Sequence, residues 1–383
     1  MGLLTIARRL CASARAGHLG TGISLRLRQL KYKPLPACSS AQIRRYVERA
    51  FLQSCIFYID VISSCNLRCP SCPIANWPKG FWTEGKGLME PGLLNRIIRK
   101  ALSECSVRCV NLYAYSEPLL HPRLPELIRV VKSYRLRCGV STSLNVLREP
   151  DALLEAAPDE IVISVSGFYQ HNYGITHAGG DIEVVKHNMI VLADAKRRLA
   201  AKTEIAVYFH KYLTNAEDLP LMKHFAESLG FKFEDSWAIM MPLEKVWAYV
   251  YPDTALAEMT DTDREIVDRI AIPLHDVLEV ASRGPVNSCS LQNGEVVLDV
   301  AGNAYLCCAS AMDGKRNKLA PFLDTSLGDL QRLKRSHSLC RRCMAGGLPP
   351  VMTSTFDLPY IHALVEKRCQ ERKAINRAPI PKV

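Results

Sequence analysis

No run of about 18 uncharged apolar residues occurs in this 383-residue chain, so the sequence predicts no membrane-spanning helix. No secretory signal is expected either, because Arg8, Arg9 and Arg15 interrupt any apolar central region near the start. There is no internal repeat and no low-complexity stretch. Without an export signal, the 15 cysteines read as metal ligands or reduced thiols and not as a disulfide framework. The expected compartment is therefore reducing, which points to a cytoplasmic protein. Hydrophobic residues make up 48% of the chain, enough for one large domain and a smaller appendage.

Acidic residues are scarce in one place. Residues 1–50 hold ten Lys or Arg (Arg8, Arg9, Arg15, Arg26, Arg28, Lys31, Lys33, Arg44, Arg45, Arg49) against one acid, Glu48. That segment supplies +9 of the net +11. The remaining chain is nearly neutral, so the body is not expected to bind nucleic acid. The arm is read as a solvated helical extension. An Arg-rich, acid-poor start also suits weak contact with a membrane surface or an acidic partner, and is a little like a transit peptide.

From residue 56 to about 240, short apolar runs alternate with amphipathic stretches. Strands are expected at Ile56–Ile62, Cys109–Tyr115, Arg137–Ser143, Glu160–Ser166, Glu204–His210 and Phe231–Met240. Helices are expected at Pro91–Leu102, Leu124–Tyr134, Pro150–Ala157, Asp181–Leu199 and Ala216–Leu229. Six such units predict an α/β fold, a partial (β/α)6 version of the (β/α)8 barrel with its chemistry at the strand C-termini. The organisation follows: 1–50 a basic extension, 51–245 the barrel, 246–284 a helical linker with a charged helix at Thr260–Ser282, 285–347 a small cysteine-bearing domain, and 348–383 a C-terminal helix (Asp357–Lys373) and tail. Residues 285–347 hold few large apolar side chains and five cysteines. A metal is expected to help that region fold.

Cys65-Asn-Leu-Arg-Cys69-Pro-Ser-Cys72 follows the first apolar run directly. Three thiolates on one short loop can hold three irons of a [4Fe–4S] cube and leave the fourth without a protein ligand. Electron-carrier ferredoxins supply four cysteines per cube, so the vacancy implies a reaction at the open iron. The competing reading, a zinc knuckle, needs a fourth Cys or His close by, and none follows Cys72 before Cys105. The loop resembles that of the radical S-adenosylmethionine (SAM) superfamily. The resemblance, which covers residues 55–345, implies that the open iron chelates the amino and carboxylate groups of SAM. It further implies reductive cleavage of SAM to a 5′-deoxyadenosyl radical that abstracts hydrogen from a substrate. An electron donor such as flavodoxin or ferredoxin would then be a partner.

A second set, Cys289, Cys307 and the pair Cys340 and Cys343, supplies four thiolates. On chemistry alone these suit tetrahedral zinc or a fully ligated [4Fe–4S] cube. The pattern Cys…GxxxxCys…CxxCys resembles the SPASM and twitch extensions of radical SAM enzymes, which implies a second, auxiliary cube. Only Cys308 and Cys369 remain downstream, so one auxiliary cluster is expected, as in twitch. Cys308 is spare, either a small buried hydrophobe or, as a catalytic candidate, a thiol that donates a hydrogen atom.

Further residues come from the same resemblance. Tyr115-Ser116-Glu117-Pro118 stands where the superfamily often has Gly-Gly-Glu-Pro, which implies that Glu117 takes the SAM amino group by charge-assisted bonds. Ser141, Ser143 and Asn145 at the end of the third strand, and Ser164 and Ser166 at the end of the fourth, match positions for the SAM ribose and carboxylate. Such residues are also common in turns. Ser71 replaces an aromatic residue usual before the third cysteine. His121, Tyr169, His171, His177 and His210 are candidate pocket residues with an equally ordinary reading as loop or core groups. The expected activity is net oxidation of a sugar or aminocyclitol-like small molecule, since residues 1–50 show no recognition domain for a leader peptide. Epimerisation, peptide crosslinking and a non-enzymatic electron carrier are the alternatives.

Overall fold

The structure, a computed structural model, describes residues 54–76, 87–255, 257–281, 289–313, 315–353 and 363–370. The basic extension and the tail beyond residue 370 lie outside the described residues, as does most of the expected C-terminal helix, of which 363–370 is helical.

Strands β1 (Ser54–Ile59), β2 (Ser106–Asn111), β3 (Cys138–Thr142), β4 (Glu160–Val165), β5 (Glu204–Lys211) and β6 (Lys232–Trp237) pair in sequence order, all parallel. β7 (Glu295–Leu298) adds parallel to the free side of β1, and β8 (Asn303–Tyr305) and β9 (Lys318–Pro321) continue antiparallel. The nine-stranded sheet runs β6-β5-β4-β3-β2-β1-β7-β8-β9 and does not close, as a partial barrel should. The hairpin-like pattern at residues 295–307 is thus continuous with the barrel sheet. Gly302 turns the β7–β8 hairpin at φ +80°, a conformation that a residue with a Cβ adopts at a cost, while Asp299 Oδ1 accepts the Ala301 and Asn303 N–H groups.

Side-chain alternation explains which face binds. Cys55, Phe57 and Ile59, Cys138 and Val140, Ile161, Ile163 and Val165, and Ile205, Val207 and Phe209 all join one core. Against that face pack α1 (Pro91–Glu104), α2 (Leu124–Ser133), α3 (Pro150–Glu155), α5 (Ile182–Arg198) and α6 (Asp218–Ser228), each burying its apolar stripe. α5 shows the local logic well. Asp181 caps it by accepting the Glu183 and Val184 N–H groups, and Lys196, Arg197 and Arg198 meet its negative end. The opposite face carries Tyr58, Ser141, Ser164, Tyr208 and His210.

Two expectations need correcting. A short helix α4 (Gln170–Thr176) follows β4 and carries no sequence periodicity that marks it. The single helix expected at Thr260–Ser282 is two, α8 (Asp261–Arg269) and α9 (Leu274–Ala281), because Pro273 stops an α-helix. With α7 (Leu243–Val250), these build a second core that includes Leu306, Leu339, Cys343 and Leu348. The cysteine-bearing region therefore has more apolar support than its own sequence offers. No helix among the described residues is long and apolar enough to cross a membrane.

Candidate functional site

The first cysteine loop leaves the C-terminal end of β1 and is pinned by few contacts. Leu67 is buried, and the Arg68 N–H donates to the Ala178 carbonyl at 2.7 Å. The Arg68 guanidinium donates to the carbonyls of Cys65 and Leu67, and the Cys72 N–H closes a turn on the Cys69 carbonyl at 3.0 Å. The Leu67 N–H donates to Cys65 Sγ at 3.4 Å, a bond that strengthens when the sulfur is a thiolate. Burial pushes the Cys69 thiol up, and the neighbouring Cys72 and Cys65 push it further. The three sulfurs thus lie within electrostatic reach of one another. Metal binding here must displace protons.

Asp60, directly after β1, organises the facing turn and has no sequence motif to announce it. Its Oδ1 accepts the N–H groups of Ala114, Tyr115 and Ser116 at 2.9–3.0 Å and the Ser116 hydroxyl at 2.6 Å. That turn delivers Glu117 to the cysteine loop, where its N–H donates to the Ser64 carbonyl at 3.1 Å. One carboxylate oxygen accepts the Leu119 N–H, and the other accepts both the N–H and the hydroxyl of Ser143 at 2.9 Å. Burial raises the Glu117 pKa, and bonds from Thr142, Ser143 and Leu119 oppose the shift. The structure therefore brings Glu117 and Ser143 together beside Cys65 and Cys69.

The other expected SAM residues divide. Ser141 and Ser164 sit on the face opposite α1, α2, α3, α5 and α6, with Ser164 Oγ 3.5 Å from His210 Nδ1. Ser166 is buried and bonds His177 Nδ1 at 2.8 Å and the Thr176 hydroxyl. His177 stacks on Tyr173 at 4.6 Å, and burial, then His210, lowers its pKa to about 3. Asn145 donates to the Tyr173 hydroxyl at 2.6 Å and accepts the Asp181 N–H, so it ties β3 to the start of α5. His121 is occupied by the Met89 carbonyl and the Arg123 N–H, and His171 stacks on the exposed Tyr169. Tyr212 shares a cavity of about 400 Å³ with Ser71, Ile175 and Thr176, next to the cysteine loop.

The second set is gathered from three places in the chain. Cys289 precedes α10 (Ser290–Gly294), Cys307 follows β8, and Cys340 and Cys343 lie one turn apart on α12 (Ser338–Ala345). All four line one cavity of about 410 Å³ whose other walls include Leu243, Leu306, Met344 and Met352. Gln292 donates to Cys340 Sγ at 3.1 Å. Burial raises the Cys343 thiol, followed by Cys307, Cys289 and Cys340, and burial and Glu295 push Cys307 up to about 12. The CxxC pair lies on a helix.

These donor sets fit iron–sulfur cubes. Among the described residues no three His, Cys, Asp or Glu side chains converge on a single-ion position. A cube spreads its ligands, one thiolate to each iron, and an apolar four-cysteine cavity accommodates that.

Cys308 packs with Tyr58 and Tyr115 against Val297, Tyr305 and Met312, a different setting. Its N–H donates to Glu295 Oε1 at 2.7 Å and its thiol bonds the same carboxylate. Tyr58 and Tyr113 are in edge contact at 5.8 Å, and burial raises both phenols, with Cys308 adding to the shift. Tyr115 spans the two cysteine regions, its phenol donating to the Ser310 carbonyl at 2.9 Å and to that of Cys308.

No family model matches the chain. A probable GTP 3′,8-cyclase of Methanococcus maripaludis (strain C7) is 27% identical over 176 residues, covering 45% of this chain and 55% of that one. The GTP 3′,8-cyclase of Chlorobaculum tepidum is 33% identical over 110 residues, or 28% of this chain and 31% of that one. The chain thus spans about half or less of the length of these curated relatives. In fold it is similar to SuiB of Streptococcus suis, solved bound to precursor peptide SuiA, with a TM-score of 0.53 at 11% identity over 91% of this chain and 84% of SuiB. These proteins are radical SAM enzymes.

Proposed function

We propose that this radical SAM enzyme cleaves S-adenosylmethionine at a cube held by Cys65, Cys69 and Cys72 and oxidises a polar small molecule on the face of its sheet opposite α1, α2, α3, α5 and α6. The observation that carries this reading is the meeting of an incomplete thiol set with the buried carboxylate of Glu117 at the C-terminal end of β1. The bound cube and SAM supply the one-electron chemistry and the radical that takes a hydrogen atom. Glu117 accepts the SAM ammonium, fixed by Ser143 and by the Asp60-held turn. The cavity at Ser71 and Tyr212 takes the nucleoside, and Tyr212 offers the aromatic surface that Ser71 does not. Tyr58, Ser164, Tyr208 and His210 present hydroxyl, phenol and imidazole groups to the substrate, which suits a sugar or aminocyclitol. His210 is held neutral by burial, so it donates or accepts without adding charge. The cavity of Cys289, Cys307, Cys340 and Cys343 holds the auxiliary cube with every iron ligated, which favours electron transfer over substrate binding.

Anaerobic reconstitution with iron and sulfide, then addition of SAM and dithionite, tests the core of this reading. The expected result is 5′-deoxyadenosine and about eight irons per chain, two cubes of four. One cube with stoichiometric zinc would make the second site structural, since zinc has no redox chemistry.

One observation favours a second reading. The Cys308 thiol faces the same side as Tyr58 and Tyr113, with Glu295 at hand for its proton, as a hydrogen-atom donor in an epimerisation would require. Product formed in D2O separates the two: epimerisation leaves one deuterium on the inverted carbon, and oxidation leaves none. SuiB was solved with a precursor peptide, and a peptide substrate is the remaining alternative.

A further inference from the structure

Lys334 has an unusual position. On α11 (Leu327–Ser336) the buried stripe is Leu327, Leu330 and Lys334, so an ammonium occupies the next core position of an otherwise apolar face. It is 4% exposed. Its Nζ donates to the carbonyls of Glu295 at 2.6 Å and Leu291 at 3.2 Å. Both acceptors are neutral, which satisfies its protons without cancelling its charge. A buried cation is costly unless negative charge lies nearby. The buried Glu295 carboxylate is one such charge within reach, and Lys334 also lines the same cavity as Cys289, Cys307, Cys340 and Cys343.

We propose that Lys334 is the positioning charge of the second cluster site: its ammonium offsets the four thiolates and raises the reduction potential of the cube they hold. The proposal rests on reading that cavity as a cluster site. A reduced cube carries one more negative charge than an oxidised one, so a fixed cation beside it favours the reduced form, and net charge is among the determinants of such potentials.

The test needs no substrate. In the Cys65→Ala, Cys69→Ala, Cys72→Ala background only the second cube remains, and its potential is read by EPR during a redox titration of the full chain. Lys334→Gln can still donate to both carbonyls but is uncharged. At a fixed poise it is expected to lower the reduced-to-oxidised ratio about tenfold, ~59 mV for a one-electron couple. Lys334→Arg is expected to stay within about threefold of the parent, ~28 mV on the same scale. A fully loaded Gln variant that titrates at the parent potential overturns the proposal. If the Gln variant loses its cube while the Arg variant keeps it, the charge is required for loading, which supports the same role. Loss in both assigns Lys334 to packing and overturns it. A parent chain with no second cube removes the cluster reading itself, a failure distinct from an unshifted potential.

Discussion

The two cysteine sets differ in how the chain makes them, and the difference predicts what each can do. Cys65, Cys69 and Cys72 come from eight consecutive residues on a loop, beside the buried carboxylate of Glu117 and an open polar face. Cys289, Cys307 and the pair Cys340 and Cys343 come from three separate places, line one apolar cavity, and meet a buried ammonium. A local, incomplete set next to an acid can exchange a ligand. On the proposed reading, a complete set leaves no iron open and is left with electron transfer.

The largest effect should come from removing the first set. The Cys65→Ala, Cys69→Ala, Cys72→Ala variant is expected to lose SAM cleavage entirely while iron falls from about eight per chain to about four. Cleavage at the wild-type rate would mean the open site lies elsewhere. Removing Cys340 and Cys343 should cost the same amount of iron yet leave SAM cleavage measurable and product suppressed. If cleavage vanished with them, the two sets would not be functionally separate.

Asp60→Ala strips the acceptor from three backbone N–H groups and the Ser116 hydroxyl. At about 1–3 kcal/mol for a buried donor left unpaired, the variant should lose several kcal/mol, seen as a large drop in Tm. It should also bind SAM poorly, because Glu117 is no longer delivered to the loop. Glu117→Gln keeps the shape but not the charge. Loss of one charge-assisted bond, about 1.5–3 kcal/mol, should weaken SAM roughly 10–150-fold in an equilibrium titration, with iron content unchanged.

A smaller effect is expected with pH. The folded pKa of His177 is about 3, far below its ordinary value, so the folded protein keeps it neutral while the unfolded chain protonates it below about pH 6.5. Its contribution is present above that pH and is lost as pH falls toward 3, by about 1.4 kcal/mol per pH unit. His177→Gln should flatten the acid limb of a Tm-against-pH curve. An unchanged slope would place His177 in a more solvated setting than the Tyr173 stack describes.

The parts legible in sequence were those with short-range signals. The strands and the main helices follow from period, the first cysteine loop stands out by its spacing, and Glu117 and the second cysteine set were marked by a resemblance to the superfamily. What stayed hidden depends on contacts across the fold. Asp60 is an ordinary acid after a strand until Ala114, Tyr115 and Ser116 fold onto it, 54 to 56 residues later. Lys334 carried a weak signal, a lysine at the buried spacing of an amphipathic helix, but its carbonyl partners lie 39 and 43 residues away. α4 is too short and too polar for periodicity to mark. β7 reads as a hairpin arm, and only the assembled sheet joins it in parallel to β1.

The contrast between an open and a closed cluster reduces to one spectroscopic comparison. SAM added to the dithionite-reduced wild-type chain should change the EPR signal, because one iron can take it as a ligand. The same addition to the Cys65→Ala, Cys69→Ala, Cys72→Ala variant should leave the remaining signal as it was. A SAM-dependent change in that variant, or none in the wild type, would contradict the assignment of the open site to the first loop.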